Sequence, residues 1–141
     1  MRDLINNIDM KRALSPVAAT TDNTAYVSQI LDRRGAESVA LAIVLGSLAD
    51  ADATFAVTMD HGDAANLSDA VAVPADQLNG TLALAGFDFS ADNAIRKIGY
   101  LGGKRYVRAT ITPSNNTGNV FIAAVWLLGK LNMRSSANPP V

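Results

Sequence analysis

The 141 residues carry 12 Lys and Arg against 13 Asp and Glu, which gives a formal net charge of −1. Because DNA and RNA attract proteins through an excess of clustered positive charge, we expect no direct nucleic-acid partner. Hydrophobic residues make up 49% of the chain and cysteine is absent. This composition predicts one domain held by packing, and it excludes disulfides, thiolate nucleophiles and zinc–sulfur sites.

Residues 1–24 predict an extended N-terminal arm. Pro16 discourages regular structure, and the small polar residues at 18–24 bury too little apolar surface to order themselves. Such an arm either frays or docks on a neighbour. The first residues lack the uninterrupted apolar stretch of a signal peptide, so we expect synthesis in a cytoplasm.

Residues 25–129 predict a single all-β domain, a β-sandwich or jellyroll. Short alternating segments separated by turn residues, without a long helical period, are typical of this class. Leu101-Gly-Gly103 predicts a hairpin between the two strands that flank it. Residues 130–141 lose the alternation and predict an extended C-terminal tail. The predicted strands cover Tyr26–Leu31, Ser38–Leu45, Ala53–Met59, Thr81–Phe89, Asn93–Tyr100, Lys104–Thr112 and Asn119–Gly129.

The last of these strands is apolar on both faces. One face can line the domain's own core, and the other needs a second cover, either a second copy of the chain or another element of the same domain. The run is shorter than the roughly 20 residues that cross a bilayer, so no membrane partner is expected. We predict a homodimer whose subunit interface consists of Val120, Ile122, Ala124, Trp126 and Leu128, which leaves Phe121, Ala123, Val125 and Leu127 for the core.

Basic residues gather around the predicted hairpin and alternate with Tyr100 and Tyr106. Arg and Tyr are enriched at protein interfaces, and Arg and Lys form charge-assisted hydrogen bonds with acidic surfaces. An ordinary solvated sheet face is the alternative interpretation. The basic residues are Arg96, Lys97, Lys104, Arg105 and Arg108.

No motif predicts catalysis, a metal or a cofactor. The only histidine, His61, lies in Asp60-His-Gly-Asp63, whose composition predicts a solvated turn, and no Gly-x-Ser-x-Gly motif supplies a nucleophile. Asp50, Asp52, Asp60 and Asp63 would bind calcium only if their loops converged, and their spacing is not that of an EF-hand. We therefore expect a protein that is not an enzyme.

The order of several segments resembles a family of virion proteins. Arg96-Lys-Ile-Gly-Tyr-Leu-Gly-Gly-Lys-Arg-Tyr-Val-Arg108, then Ile111-Thr-Pro-Ser-Asn-Asn-Thr-Gly-Asn119 and the final apolar strand, resembles small proteins of tailed bacteriophages encoded near the major capsid protein. Leu48–Phe55 and Asn66–Ala70 are further marks of that group. The chain is most similar to the jellyroll cement, or decoration, proteins, and the resemblance covers Tyr26 to Gly129.

The resemblance implies a structural role on the outside of a phage capsid. Proteins of that group sit as dimers on the shell and hold neighbouring major capsid protein subunits together. The expected location is therefore the virion exterior, and the expected capsid contacts are the five basic residues above together with Leu14 and Pro16 of the arm. Two alternatives stay open: a head–tail or tail-associated virion subunit, and a sandwich module that binds carbohydrate or another small ligand.

Overall fold

The computed structural model describes residues 2–132, so residues 133–141 of the predicted tail lie outside the described part. The regular structure of the described chain is nearly all strand, with one short helix, α1 (Leu82–Ala85), and two 3-10 turns at Ala75–Gln77 and Phe89–Ala91. The strands are β1 (Ile8–Leu14), β2 (Tyr26–Val27), β3 (Leu31–Asp32), β4 (Ala36–Leu48), β5 (Thr54–Gly62), β6 (Val71–Ala72), β7 (Leu78–Asn79), β8 (Phe87–Asp88), β9 (Ile95–Tyr100), β10 (Tyr106–Ser114) and β11 (Val120–Leu131).

Two antiparallel sheets pack face to face. Sheet A has the order β1-β11-β4-β9-β7, and sheet B has the order β2-β10-β5-β6, with β3 also beside β10 and β8 beside β5. The pairs are nested: the first strand lies beside the last, β2 and β3 lie beside β10, and β4 lies beside β9. A long hairpin rolled up in this way is a jellyroll, so the predicted fold class is confirmed.

Alternation along the long strands builds the core between the sheets. In β10, Val107, Ala109 and Ile111 are buried as predicted, and in β5 the buried set contains Phe55 and Met59. Because successive side chains of a strand point to opposite faces, each of these strands gives every second residue to the core. Trp126 of β11 is fully buried in that core, and its indole N–H donates to the Gln29 carbonyl oxygen at 3.4 Å.

The predicted N-terminal arm contributes a strand to the sandwich. Residues 8–14 form β1 at the edge of sheet A, paired with β11, and Ala13 is only 1% exposed. The prediction missed this strand because its exposed edge residues, such as Lys11 and Arg12, hide the alternation. At the other end, β11 continues two residues past Gly129, to Leu131.

Two local predictions are wrong. The region predicted as a strand from Thr81 forms α1, because the Thr81 hydroxyl oxygen accepts a hydrogen bond from the Leu84 N–H at 3.1 Å and caps a helical turn. The predicted hairpin around Leu101 does not form, because β9 belongs to sheet A and β10 to sheet B. The glycine-rich connection therefore crosses from one sheet to the other.

Truncating a side chain on the inner face of β11 should lower the free energy of unfolding more than truncating one on its outer face. Trp126→Ala empties a fully buried site and should lower the free energy of unfolding by about 3–5 kcal/mol. Phe121→Ala, on the same strand at a side chain that is 46% exposed, should cost about 1 kcal/mol or less. Urea denaturation of both variants checks the assignment, and equal losses would contradict it.

Candidate functional site

The residues predicted as a subunit interface lie in the core of the single chain. Exposed fractions are 3% for Val120, 7% for Ile122, 1% for Ala124, 0% for Trp126 and 3% for Leu128. A side chain enclosed by its own domain offers no surface to a second copy. The interface prediction is therefore wrong for this set, because Trp126 and its neighbours fill the space between the two sheets.

The other apolar set of β11 points away from the core. With the neighbouring strands it forms a surface that we call the outer face of sheet A. Four of its large apolar side chains are well exposed: Met10 at 51%, Val44 at 44%, Ile95 at 67% and Phe121 at 46%. The surface comprises Ile8, Met10 and Arg12 of β1, Ser38, Ala40, Ala42 and Val44 of β4, Ile95, Lys97 and Gly99 of β9, and Phe121, Ala123, Val125, Leu127 and Gly129 of β11.

The outer face of sheet B has the opposite character. Its central strands present mostly hydroxyl and charged side chains, which water solvates well. These are Thr54, Thr58 and Asp60 of β5, and Tyr106, Arg108, Thr110, Thr112 and Ser114 of β10. One sheet thus has an ordinary solvated face, whereas the other carries an apolar face that no part of residues 2–132 covers.

Three of the predicted basic contact residues are paired with acidic side chains of the same chain. Arg105 donates to both carboxylate oxygens of Asp32 at 2.9 and 2.8 Å. Lys104 forms an ion pair with Asp63, and Arg108 lies 3.4 Å from Asp60. These pairs neutralise the basic residues where they stand, so the structure does not assemble the predicted basic patch.

The remaining predicted contact residues are scattered. Lys97 is exposed on the outer face of sheet A, whereas Arg96 points inward and lines an open groove of about 490 Å³ beside Phe55 and Phe87. The Arg96 Nε atom is buried without a hydrogen-bond partner. Leu14 is half-buried against the core and Pro16 is exposed. The prediction thus grouped residues that lie on different surfaces.

His61 is part of a buried link between the two sheets and not of a solvated turn. It lies in β5 of sheet B at 4% exposure, and its Nδ1 is 2.8 Å from the hydroxyl of Tyr100 in β9 of sheet A. The Tyr100 hydroxyl also accepts the backbone N–H of Lys104 at 3.1 Å. A side chain at Gly102 would overlap the Tyr100 hydroxyl, so this position requires glycine.

The electrostatics of this link favour a neutral imidazole. Burial lowers the pKa of His61 from its usual value, and the nearby charge of Lys104 acts in the same direction. Burial also raises the pKa of Tyr100, so its hydroxyl keeps its proton and is a hydrogen-bond donor available to Nδ1. The contact thus joins β5 of sheet B to β9 of sheet A through a neutral imidazole.

The aspartates considered for calcium do not converge. Asp50 and Asp52 precede β5 and Asp63 follows it, so the full strand separates the two groups. Asp50 instead accepts hydrogen bonds from Thr117, and Asp69 accepts from the N–H groups of Asp63 and Ala64. Within the described residues, no three His, Asp or Glu side chains gather into a metal-binding group.

Comparison with known proteins does not place the chain in a family. No protein-family model matches the sequence, and no curated protein shows significant similarity to it. In the part of the chain that the structure describes, no helix has the length and apolar character needed to span a bilayer. The exposed apolar side chains of the outer face of sheet A make it the candidate functional surface.

The buried histidine predicts a pH dependence of stability. Between its lowered pKa in the fold and about 6.5 in the unfolded chain, His61 takes a proton only when unfolded. The free energy of unfolding should therefore fall as the pH drops from 7 towards 5. The pKa values of Asp32 and Asp50 are lowered in the fold, so their contribution to the free energy of unfolding is lost only below about pH 4.

The His61→Asn variant tests this assignment. Asparagine keeps an oxygen near the position of Nδ1 to accept from Tyr100, but it does not titrate. Because His61 is the only histidine, the variant should show a flatter profile of urea midpoint against pH between 5 and 7. Equal slopes for the variant and the original chain would contradict the role given to His61.

Proposed function

We propose that this chain is a capsid cement protein, a virion structural subunit that binds the outside of a tailed-phage shell and holds neighbouring major capsid protein subunits together. The observation that carries the proposal is the exposed apolar outer face of sheet A. A jellyroll that leaves one sheet face apolar is suited to bind another protein surface. The resemblance of Tyr26 to Gly129 to phage decoration proteins gives that surface its partner class.

The size of the face suits a contact that works in many copies. Four strands about 4.8 Å apart and about seven residues long cover roughly 450 Å². Burying it against a partner removes about 900 Å² in total, below the roughly 1,000 Å² that a specific interface usually exceeds. Such a site binds weakly alone, and repetition over a shell with many identical positions supplies the stabilisation.

Cementing of this kind needs no chemical step. A protein that binds only the assembled shell stabilises it by RT ln(1 + [L]/Kd), which is about 2.7 kcal/mol at a concentration of 100 Kd. Two side chains that the sequence offered for catalysis or metal binding make contacts within the fold. His61 joins the two sheets, and Asp50 accepts a hydrogen bond from the loop at Thr117. A structural role therefore uses the surface that the fold itself leaves open.

The homodimer predicted from the sequence stays a prediction. The residues first assigned to it fill the core, so a dimer needs other surfaces. A dimer that leaves both outer faces of sheet A free would present two of them and gain avidity on a repeating shell. The head–tail alternative differs in copy number, and a carbohydrate module is disfavoured because Trp126 lies in the core.

Binding to shells tests the proposed function. Added to shells assembled from the major capsid protein encoded in the same genome, the chain should co-sediment with them at saturable stoichiometry and raise their disassembly temperature. Val44→Asp, at a 44% exposed position of the outer face of sheet A, should reduce both effects because it buries a carboxylate in an apolar contact.

The matched control is Thr58→Asp, which places the same charge on the solvated outer face of sheet B. This variant should bind like the original chain. The proposal fails if the original chain neither co-sediments with the shells nor changes their disassembly temperature. Equal behaviour of the two variants would show that the contact lies elsewhere.

A further inference from the structure

A row of four residues crosses the outer face of sheet A with one cation at each end. Arg12 of β1 is paired with Val125 of β11, Val125 with Ala42 of β4, and Ala42 with Lys97 of β9. Directly paired residues of an antiparallel sheet point to the same side. The row therefore reads cation, apolar, apolar, cation, and its ends lie three strand spacings apart, about 14 Å.

Neither cation has an acidic residue beside it in the paired rows of that face, and Glu37, at the rim, lies at the start of β4. No Asp or Glu occupies an outer-face position of β1, β4, β9 or β11. Neither Arg12 nor Lys97 forms an ion pair within residues 2–132, whereas Lys104, Arg105 and Arg108 on the other side of the molecule each do. The apolar face thus carries two cationic side chains without an ion pair, attached to the sheet at Cα positions about 14 Å apart.

This charge pattern opposes face-to-face packing of two copies. A twofold axis along the strands puts Arg12 opposite the partner's Lys97, and an axis across the strands puts each cation opposite its own copy. Like charges placed opposite each other across an interface are destabilising. If the strands of the two copies cross at a large angle, both cations lie against apolar side chains of the other copy. The charged groups then lose their hydration without gaining an acidic partner.

We propose, building on the cement function above, that the occupant of this face is an apolar ridge of the capsid protein with a carboxylate on each side, within reach of two cations whose Cα atoms lie about 14 Å apart. The ridge packs on the small central side chains, Ala42 and Val125, and each carboxylate pairs with Arg12 or Lys97. The apolar ridge supplies area, and the two ion pairs fix its position and its orientation.

Reversal of the two charges tests the inference. In the double variant Arg12→Glu/Lys97→Glu, both cations face the shell carboxylates as like charges, so Kd for shells should rise about tenfold or more. The control is Arg2→Glu/Arg34→Glu, which makes the same change in net charge at exposed positions that are not among the residues of the face. It should bind within about threefold of the original chain, because exposed charges far from a contact are screened by salt.

The outcomes separate the inference from the proposed function. Weaker binding of the Arg12/Lys97 variant alone, with an unchanged melting temperature of the free protein, supports the inference. If both double variants bind like the original chain, the inference is overturned and the cement function stands. If the original chain does not bind shells, both are overturned.

Sedimentation equilibrium of the free protein tests the competing occupant. A dimer that dissociates in Val44→Asp and persists in Thr58→Asp would show that a second copy covers this face, and it would overturn the inference. A mass that is the same for both variants supports it. Preferential binding to vesicles of phosphatidylserine and phosphatidylcholine over shells would also overturn it.

Discussion

The structure depends on the position of β11 within sheet A. This strand lies between β1 and β4, and both of its faces are apolar. Its inner residues, above all Trp126, fill the space against sheet B and contribute much of the core. Once that face is used, the strand's geometry forces Phe121, Val125 and their neighbours outward. The apolar outer face is thus a direct consequence of a strand that alternates between two sets of hydrophobic residues.

The ends of the sandwich are held by polar contacts that complement this core. The hydrogen bond between His61 and Tyr100 joins the two sheets at a place where the connection from β9 to β10 passes between them. Nearby, Lys104 and Arg105 pair with Asp63 and Asp32. These ion pairs are largely exposed, so each contributes little to stability. Their carboxylates nevertheless neutralise the positive charge of Lys104 and Arg105. Arg12 and Lys97, on the apolar face, form no ion pair within residues 2–132.

Much of the fold could be predicted from the sequence, because alternation identifies the long strands and their inward residues, such as Val107 in β10. Alternation cannot decide which set of β11 faces inward, since both are apolar, and that is why the interface was assigned to the wrong set. Strand pairing separates β9 from β10 and divides the basic residues, and no local pattern reports it. The partner of His61 is 39 residues away in the sequence, so the buried link had no sequence signal.

The most direct measurement is a reconstruction, at side-chain resolution, of shells decorated with this protein. The jellyroll should lie on the outer surface with the outer face of sheet A against the capsid protein, and carboxylates should approach Arg12 and Lys97. The solvated outer face of sheet B, around Thr58 and Thr110, should point to solvent. Density that shows sheet B against the shell and Met10, Val44 and Ile95 open to water would contradict this orientation.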